Sequence, residues 1–239
     1  MNIIHRRQRQ AEANGVETTL NGEAIVCDPC GVIFVPGESL LVVSDLHLEK
    51  GAAFARRGMM MPPYDTAATL SLLSHAIARY APARVVCLGD SFHDRHGSAF
   101  MPAPSREALV ALMAGREWTW ISGNHDPEPP AFVGGETREE LSVGSLVFRH
   151  EPSPRPRPGE VAGHLHPVAK VSGNGRSVRG ACFATDGERM VMPSFGVTTG
   201  GLNVLDRAFS GLFHIERAKA YVIGLTAIYP IAFASLCRG

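Results

Sequence analysis

Residues 40–121 alternate between short apolar runs and a stretch with helical periodicity, and this alternation most constrains the fold. Three apolar runs bounded by polar residues are typical of strands buried on both faces: 40–44, 84–88 and 118–121. Between the first two runs, the segment from Asp65 to Tyr80 has apolar residues on one helical face, and Asp65 can cap its N-terminus. A second helix is predicted to begin near Ser105. This strand–helix–strand–helix–strand order predicts an α/β layer.

The second half of the chain has the pattern of an all-β region. Residues 142–148 read as strands around a Gly-Ser turn, and residues 182–192 alternate around Asp186-Gly187, a hairpin signal. Residues 151–159 contain four prolines and predict an exposed loop, while the first 35 residues can add a hairpin. We therefore predict one domain over residues 1–239, of class α/β (α+β), with two packed mixed β-sheets flanked by helices.

Composition excludes several other classes of protein. Lys plus Arg equals Asp plus Glu at 23 each, so no overall field attracts nucleic acid. Locally, however, six basic residues and two acidic ones lie between Arg149 and Arg179. The five cysteines form an odd, scattered set, which argues against a disulfide framework. Cys27 and Cys30 have zinc-ligand spacing but no second pair, so we interpret them as a turn near a strand.

One apolar segment has the minimum length for a membrane span. Residues 220–237 carry no formal charge, but Gly224 and Pro230 interrupt them, so two strands joined by a turn are the better interpretation. The arginines at positions 6, 7 and 9 are not followed by an apolar run, so no signal peptide is expected. We expect no membrane association and a cytoplasmic location.

Five polar clusters each follow a predicted strand. Because ligands collect beyond the carboxyl ends of strands in sheets with crossover helices, these clusters should meet at one edge. A glycine precedes the polar residue in three of them, which lets the backbone turn sharply beside a ligand. Together they hold seven potential metal ligands: Asp45, His47, Asp90, Asn124, His150, His164 and His166.

The ligand types indicate the class of metal. Carboxylate, imidazole and amide groups without a thiolate suit Mn, Fe, Zn or Co. Asp45-x-His47 on an extended segment would place both side chains on one side. Two ions roughly 3.5–4 Å apart lower the pKa of a water and neutralise both sides of an in-line displacement. Each residue alone has an ordinary structural explanation, but their joint occurrence predicts a two-metal phosphoester hydrolase.

The same residues, with His125 and Asp126, resemble the signature of the calcineurin-like metallophosphoesterases. Further strings are similar to the bacterial ligase-associated DNA damage response endonucleases, whose genes lie near those of an ATP-dependent DNA ligase and a helicase. These strings are residues 45–51, 62–65, 89–94, 148–152, 163–167 and 192–196. The resemblance implies a four-layer fold, two divalent ions with Mn as the expected metal, and the ligase and helicase as partners.

The resemblance also implies a role for each site residue. The first metal would be bound by Asp45, His47 and His166, and the second by Asn124, His150 and His164, with Asp90 bridging both. His125 would face the phosphate and either protonate the leaving oxygen or stabilise charge. Many members steady that histidine with a carboxylate or amide three residues after the bridging Asp. Here His93 occupies that position, and we favour its neighbour Asp94 for the role, with a subfamily-specific role of His93 as the alternative.

Three functions are compatible with these features. The first is hydrolysis of phosphodiesters in nucleic acid, linked to DNA repair, in an open groove with Arg155 and Arg157 on one wall. The second is hydrolysis of a small nucleotide or phosphomonoester, which the neutral charge and compact chain allow. The third, a non-catalytic protein-binding scaffold, is disfavoured because His125 and all seven ligands are present.

Overall fold

The computed structural model of the protein describes residues 3–56, 58, 64–93, 101–124, 132–173 and 175–238. Within these residues, the first sheet has seven strands in spatial order β1-β2-β3-β4-β5-β6-β7. The strands β4 to β7 run parallel, whereas β1 to β4 pair antiparallel. Their bounds are β1 Val16–Leu20, β2 Glu23–Cys27, β3 Ile33–Val35, β4 Leu40–Val43, β5 Arg84–Leu88, β6 Glu117–Ile121 and β7 Glu136–Arg138.

Four α-helices are present in the described part of the chain, and three of them connect the parallel strands. They are α1 Ile3–Ala11, α2 Lys50–Arg56, α3 Asp65–Tyr80 and α4 Ala103–Met113. The predicted bounds of α3 are confirmed, but the predicted cap is wrong. Tyr64 is the N-cap, and the Asp65 carboxylate instead accepts a hydrogen bond of 2.7 Å from the amide of Gly51 in α2. Asp65 therefore joins the two helices rather than capping one.

The second sheet is mixed and contains nine strands among the described residues. Its spatial order is β14-β11-β12-β13-β10-β9-β8, and β15 pairs with both β12 and β16. The bounds are β8 Glu140–Val143, β9 Leu146–Arg149, β10 Glu160–Ala162, β11 Pro167–Gly173, β12 Arg176–Thr185, β13 Met190–Val191, β14 Leu202–Asn203, β15 Lys219–Ile223 and β16 Ile228–Ala232.

The hairpins predicted in the second half are confirmed. The β8–β9 pair turns at residues 144–145, and β12 and β13 pair across the Asp186-Gly187 turn. The uncharged segment 220–237 forms the β15–β16 hairpin and a short 3-10 turn. No helix in the described part of the chain is long and apolar enough to cross a membrane. The N-terminal hairpin β1–β2 is present, but α1 before it was not predicted.

The two sheets pack face to face, which confirms the predicted fold class. Alternation along β4 sends Leu40 and Val42 into the core between the sheets, where they join Phe148 and Phe183 of the second sheet. Leu41 and Val43 face the opposite way, toward the helices. The outer side of the second sheet is covered largely by turns and 3-10 helices around Phe209 and Phe233. The parallel strands β4, β5 and β6 end at one edge, and the polar clusters follow them there.

Candidate metal centre

Six of the seven predicted ligands form two compact clusters at this edge. Asp45, His47 and His166 make the first cluster, and Asp90, His150 and His164 make the second. Within each cluster, one ligand atom from every residue lies within 4.8 Å of the others. The clusters are neighbours, since Asp45 Oδ1 of the first lies 3.9 Å from His150 Nδ1 of the second. This arrangement has the donors and the proximity that a pair of divalent ions requires.

The loops that carry the ligands are joined to one another by backbone hydrogen bonds. The amide of His47 donates to the carbonyl of Asp90 (2.9 Å), and the amide of Gly163 donates to the carbonyl of His150 (2.9 Å). The amide of Leu48 likewise donates to the backbone carbonyl of Ser91. The loops that follow β4 and β5 therefore continue the pairing of these two strands. The relative positions of the ligands therefore follow from the sheets themselves.

Five of the predicted ligands adopt left-handed backbone conformations. Their φ angles lie between 45° and 65°, a region that few non-glycine residues occupy: Asp45, His47, Asp90, His164 and His166. Such strain costs about 1–3 kcal/mol per residue and concentrates at functional sites. The expectation that Asp45-x-His47 lies on an extended segment is therefore wrong. Both residues lie in a loop, and the turned backbone, not strand alternation, brings their side chains together.

Neighbouring groups orient the ligands of both clusters. In the first, Asp45 Oδ2 accepts hydrogen bonds from the hydroxyl of Ser44 and from the amide of His164 (3.1 Å), which directs Oδ1 toward His166 Nε2 at 3.2 Å. In the second, His150 Nδ1 donates to the carbonyl of Leu88 (2.9 Å), so Nε2 carries the lone pair that a metal needs. Such contacts fix the ring orientation and tautomer of a ligand.

The polar atoms of the first cluster fit a cation. Asp45 Oδ1 and His166 Nε2 are buried, and neither makes a well-formed hydrogen bond to any described residue. Leaving a buried polar atom without a partner costs free energy, and a bound cation removes that cost. Burial alone would raise the pKa of Asp45, but His166, His150 and Ser44 together hold that pKa below its usual value.

One histidine of each cluster favours the neutral form that ligation requires. Burial is the main cause that lowers the pKa of His47 to about 4. Burial and the neighbouring His150 also lower the pKa of His164.

Two glycines allow the loops to approach closely. A Cβ on Gly89, whose φ is 70°, would lie 2.5 Å from His150 Nδ1. A Cβ on Gly163 would overlap Ser44 Oγ and lie 2.5 Å from Asp45 Oδ2. The close-approach role predicted for these glycines is therefore present at both positions.

Asn124 reaches the second cluster through a residue that the sequence interpretation missed. Its Nδ2 donates to Glu151 Oε1 (2.9 Å), and that same oxygen lies 3.4 Å from His164 Nε2. Because the amide nitrogen is engaged, the Asn124 oxygen stays available as a ligand. Glu151 follows the predicted ligand His150 directly, and the sequence assigned it no role in the site.

A second missed contribution comes from residues 192–196. The hydroxyl of Ser194 (3.0 Å) and the amide of Gly196 (3.1 Å) both donate to the backbone carbonyl of Asp45. The amide of Phe195 donates to the backbone carbonyl of Ser44. These contacts hold the strained backbone of Asp45 in place. In the sequence, this string is part of the family resemblance, and the resemblance implies no role for it.

The two predicted catalytic residues, His125 and Asp94, lie outside the described residues, so their roles stay predictions. His93 is described, and its ring centroid lies 5.9 Å from that of His47 and 5.5 Å from that of Phe54. The alternative residue therefore lies beside the first cluster.

The predicted basic wall needs a correction. Residues 151–159 form a mostly exposed loop as expected, but Arg157 donates two hydrogen bonds of 2.6 Å to the carboxylate of Glu140. This bidentate pair raises the pKa of Arg157, offsets its positive charge and uses two of its five N–H donors. Arg157 therefore attracts a phosphate much less than an arginine without a carboxylate partner would. Arg149 also turns away from the ligands, toward Glu160.

Comparison with known proteins agrees with this geometry. The calcineurin-like phosphoesterase family model matches residues 39–209, so the chain belongs to that family. A crystal structure of the Pseudomonas putida nuclease MPE matches with a TM-score of 0.71 and 27% sequence identity, covering 91% of this chain and 100% of that chain. The predicted family is confirmed, and this neighbour is consistent with the predicted subfamily.

The phosphoesterase YfcE from E. coli matches with a TM-score of 0.39 and 18% identity, covering 81% of this chain and 98% of that chain. That similarity is too low to support a conclusion. A search of curated protein sequences found no match. The family and the two clusters together define the chain as a hydrolase of phosphoester bonds, in a family that uses divalent metals.

Proposed function

We propose that this chain is a phosphodiesterase that cleaves nucleic acid with two divalent ions, Mn²⁺ being the expected metal, and that it serves DNA repair. The observation that carries the proposal is the juxtaposition of two three-residue clusters, with 3.9 Å between Asp45 Oδ1 and His150 Nδ1. The similarity to a nuclease over nearly the whole chain supports a polynucleotide as the substrate.

Each cluster is proposed to hold one of the two ions. Asp45, His47 and His166 would hold one ion, and Asn124, His150 and His164 the other, with Asp90 bridging both. Two such ions, when bound, supply a water of lowered pKa and neutralise both sides of an in-line displacement.

The chain itself contributes orientation and access. Ser44 and the amide of His164 hold Asp45, Leu88 fixes the tautomer of His150, and Glu151 positions Asn124. Preorganised ligands need no rearrangement when the substrate binds.

Three of the proposed metal ligands are partly or fully exposed to solvent. The side chain of His164 is 34% exposed, that of His166 is 18% exposed, and Asn124 is exposed. A diester needs room for a group on both sides of the phosphorus, and an open edge provides it. A closed pocket would instead favour a monoester.

A substrate panel tests the proposal. With Mn²⁺ we expect bis-p-nitrophenyl phosphate to be hydrolysed much faster than p-nitrophenyl phosphate. We also expect DNA cleavage that weakens as salt rises, because phosphate contacts release counterions. A strong preference for the monoester, with no single- or double-stranded DNA cleaved under Mn, Fe, Zn or Co, would contradict the proposal and favour the small-substrate alternative.

His125 is proposed to act on the substrate rather than on the metals. His125→Ala should therefore leave the metal content nearly unchanged, while the rate falls by roughly 10²–10⁴, the usual contribution of a general acid. The loss should be smaller with p-nitrophenolate as the leaving group, which hardly needs a proton. If the rate falls equally with p-nitrophenolate and with an alkoxide as the leaving group, His125 is not the general acid. Charge stabilisation would then be its only remaining role.

The cellular context is also proposed from the resemblance. An ATP-dependent DNA ligase and a helicase would act in the same pathway, in the cytoplasm, with the chain as one domain over residues 1–239. Co-purification of either enzyme with the tagged full chain tests the partnership, and its absence under crosslinking would argue against direct contact.

A further inference from the structure

A cavity of about 210 Å³ lies beside the metal centre. It extends from ligand His166 to the basic side chains of Arg6, Arg7 and Arg179, and its remaining wall includes the glycine-rich loop 196–201. No acidic residue lines it in the described part of the chain. The cavity is therefore positive and begins at a metal ligand.

The charges of Arg6 and Arg179 are available to a ligand. Arg179 donates from Nη2 to the carbonyl of Gly201 (2.7 Å), and a guanidinium has further donors to offer. Among the described residues, no carboxylate forms a salt bridge with Arg6 or Arg179, in contrast to Arg157 with Glu140. Arg7 is different, because it packs on the ring of Phe195 and donates to the Phe195 carbonyl (2.6 Å). Arg7 thus supports the wall, while Arg6 and Arg179 line the cavity without a carboxylate partner among the described residues.

A second cavity of about 640 Å³ continues from the first around Arg6. The two share Arg6, Gly180 and Ile223. The wall of the second cavity also includes Arg176 and Tyr229, and Tyr229 is 51% exposed. Among the described residues, no acidic side chain lines this cavity either. An exposed aromatic ring beside arginines is how proteins bind bases and backbone without sequence preference.

We propose that these two cavities bind the polynucleotide strand flanking the scissile phosphate. Arg179 and Arg6 contact backbone phosphates next to the metal centre, and a base farther along the strand stacks on Tyr229. This inference rests on the proposed nuclease function and places its substrate on the α1–β12 side rather than along the proline-rich loop. Charge complementarity selects the occupant, since only a polyanion longer than a simple diester reaches from His166 to Tyr229.

Binding and cleavage of oligothymidylates of increasing length test the strand path. Binding is measured by fluorescence anisotropy in EDTA, where no cleavage occurs, and cleavage is measured with Mn²⁺. In R6A/R179A we expect the Kd of a long oligonucleotide to rise at least tenfold, because each lost charge-assisted hydrogen bond corresponds to about one order of magnitude. The plot of log binding constant against log salt concentration should become less steep, by about 0.7 for each phosphate contact removed. Hydrolysis of bis-p-nitrophenyl phosphate should fall much less, since that molecule does not reach Arg6.

Matched variants separate the strand path from a general loss of charge or fold. R207A/R217A removes two exposed arginines outside both cavities and should bind like the wild type. R6K/R179K keeps both charges and should retain most of the affinity. Tyr229→Phe should bind normally, whereas Tyr229→Ala should lose roughly tenfold, the effect of one stacked base. Thermal melting of each variant shows whether it folds.

The outcomes distinguish the two proposals. If the wild type cleaves DNA but folded R6A/R179A and Tyr229→Ala bind oligonucleotides as the wild type does, the strand path is wrong and the nuclease function stands. If the control R207A/R217A weakens binding as much as R6A/R179A, the path is also wrong, because only total charge matters. A wild type that neither binds nor cleaves any oligonucleotide overturns both proposals.

Discussion

Asp90→Asn is expected to lower the bound metal well below two ions per chain and to reduce hydrolysis to background. A carboxylate that bridges two ions affects both, whereas a ligand of one ion affects one. The position of Asp90 suits such a bridge. Its Oδ2 lies 3.5 Å from His150 Nε2 of its own cluster, and its carbonyl accepts the amide hydrogen of His47 from the other cluster (2.9 Å).

Metal analysis of the purified full chain measures this effect directly. His166→Ala, which removes a proposed ligand of the first ion only, should retain more metal than Asp90→Asn. Asp28→Asn is the matched control, because Asp28 is also buried but bonds to Arg79 and Tyr80 instead. That control should lose stability and still carry two ions. Two full equivalents of metal in Asp90→Ala would rule out the bridging role.

The sequence was sufficient to predict the central part of the fold for a physical reason. Strands buried on both faces, such as β4 and β5, must be continuously apolar, and the polar residues that follow them mark where each strand leaves the core. Helix α3 was predicted with its bounds because one face packs on the sheet. By contrast, α1 is only nine residues long and mostly polar, with the sequence IIHRRQRQA, so it has too few apolar residues to mark a helix in the sequence.

The details of the candidate site were less predictable because they depend on contacts between distant residues. Left-handed backbone at Asp45 and His47 cannot be recognised in an Asp-x-His pattern, since both residue types also occur in strands and turns. The Arg157–Glu140 pair joins residues 17 positions apart, and the Asn124–Glu151 bond joins residues 27 apart. Each pair determines whether a charge or an amide is available to a ligand, and only the folded chain brings its members together.

Gly163→Ala is expected to remove the metal of the first cluster and to bring hydrolysis near background. The added Cβ would overlap Ser44 Oγ and lie 2.5 Å from Asp45 Oδ2, well inside van der Waals contact. The Ser44 side chain can rotate away, but Asp45 cannot move as easily. Its carboxylate accepts a hydrogen bond from the amide of His164, and its backbone carbonyl accepts hydrogen bonds from Ser194 and Gly196. The carboxylate must therefore turn or the loop must shift, and either movement displaces Oδ1 from His166. Overpacking of this kind costs about 1–3 kcal/mol of folding stability.

Two further variants identify which contact matters. Gly37→Ala changes the short 3-10 helix Pro36–Glu38 between β3 and β4, where an added Cβ meets no atom within 4 Å, so metal content and activity should match the wild type. In Ser44→Ala combined with Gly163→Ala, the overlap with the Ser44 hydroxyl is gone but the contact with Asp45 remains. If displacement of Asp45 is the cause, this double variant still lacks the first metal, because its carboxylate is pushed aside and has also lost the Ser44 hydrogen bond. Recovery of both metal ions in the double variant would instead assign the effect to Ser44 and would show that Asp45 tolerates the methyl group.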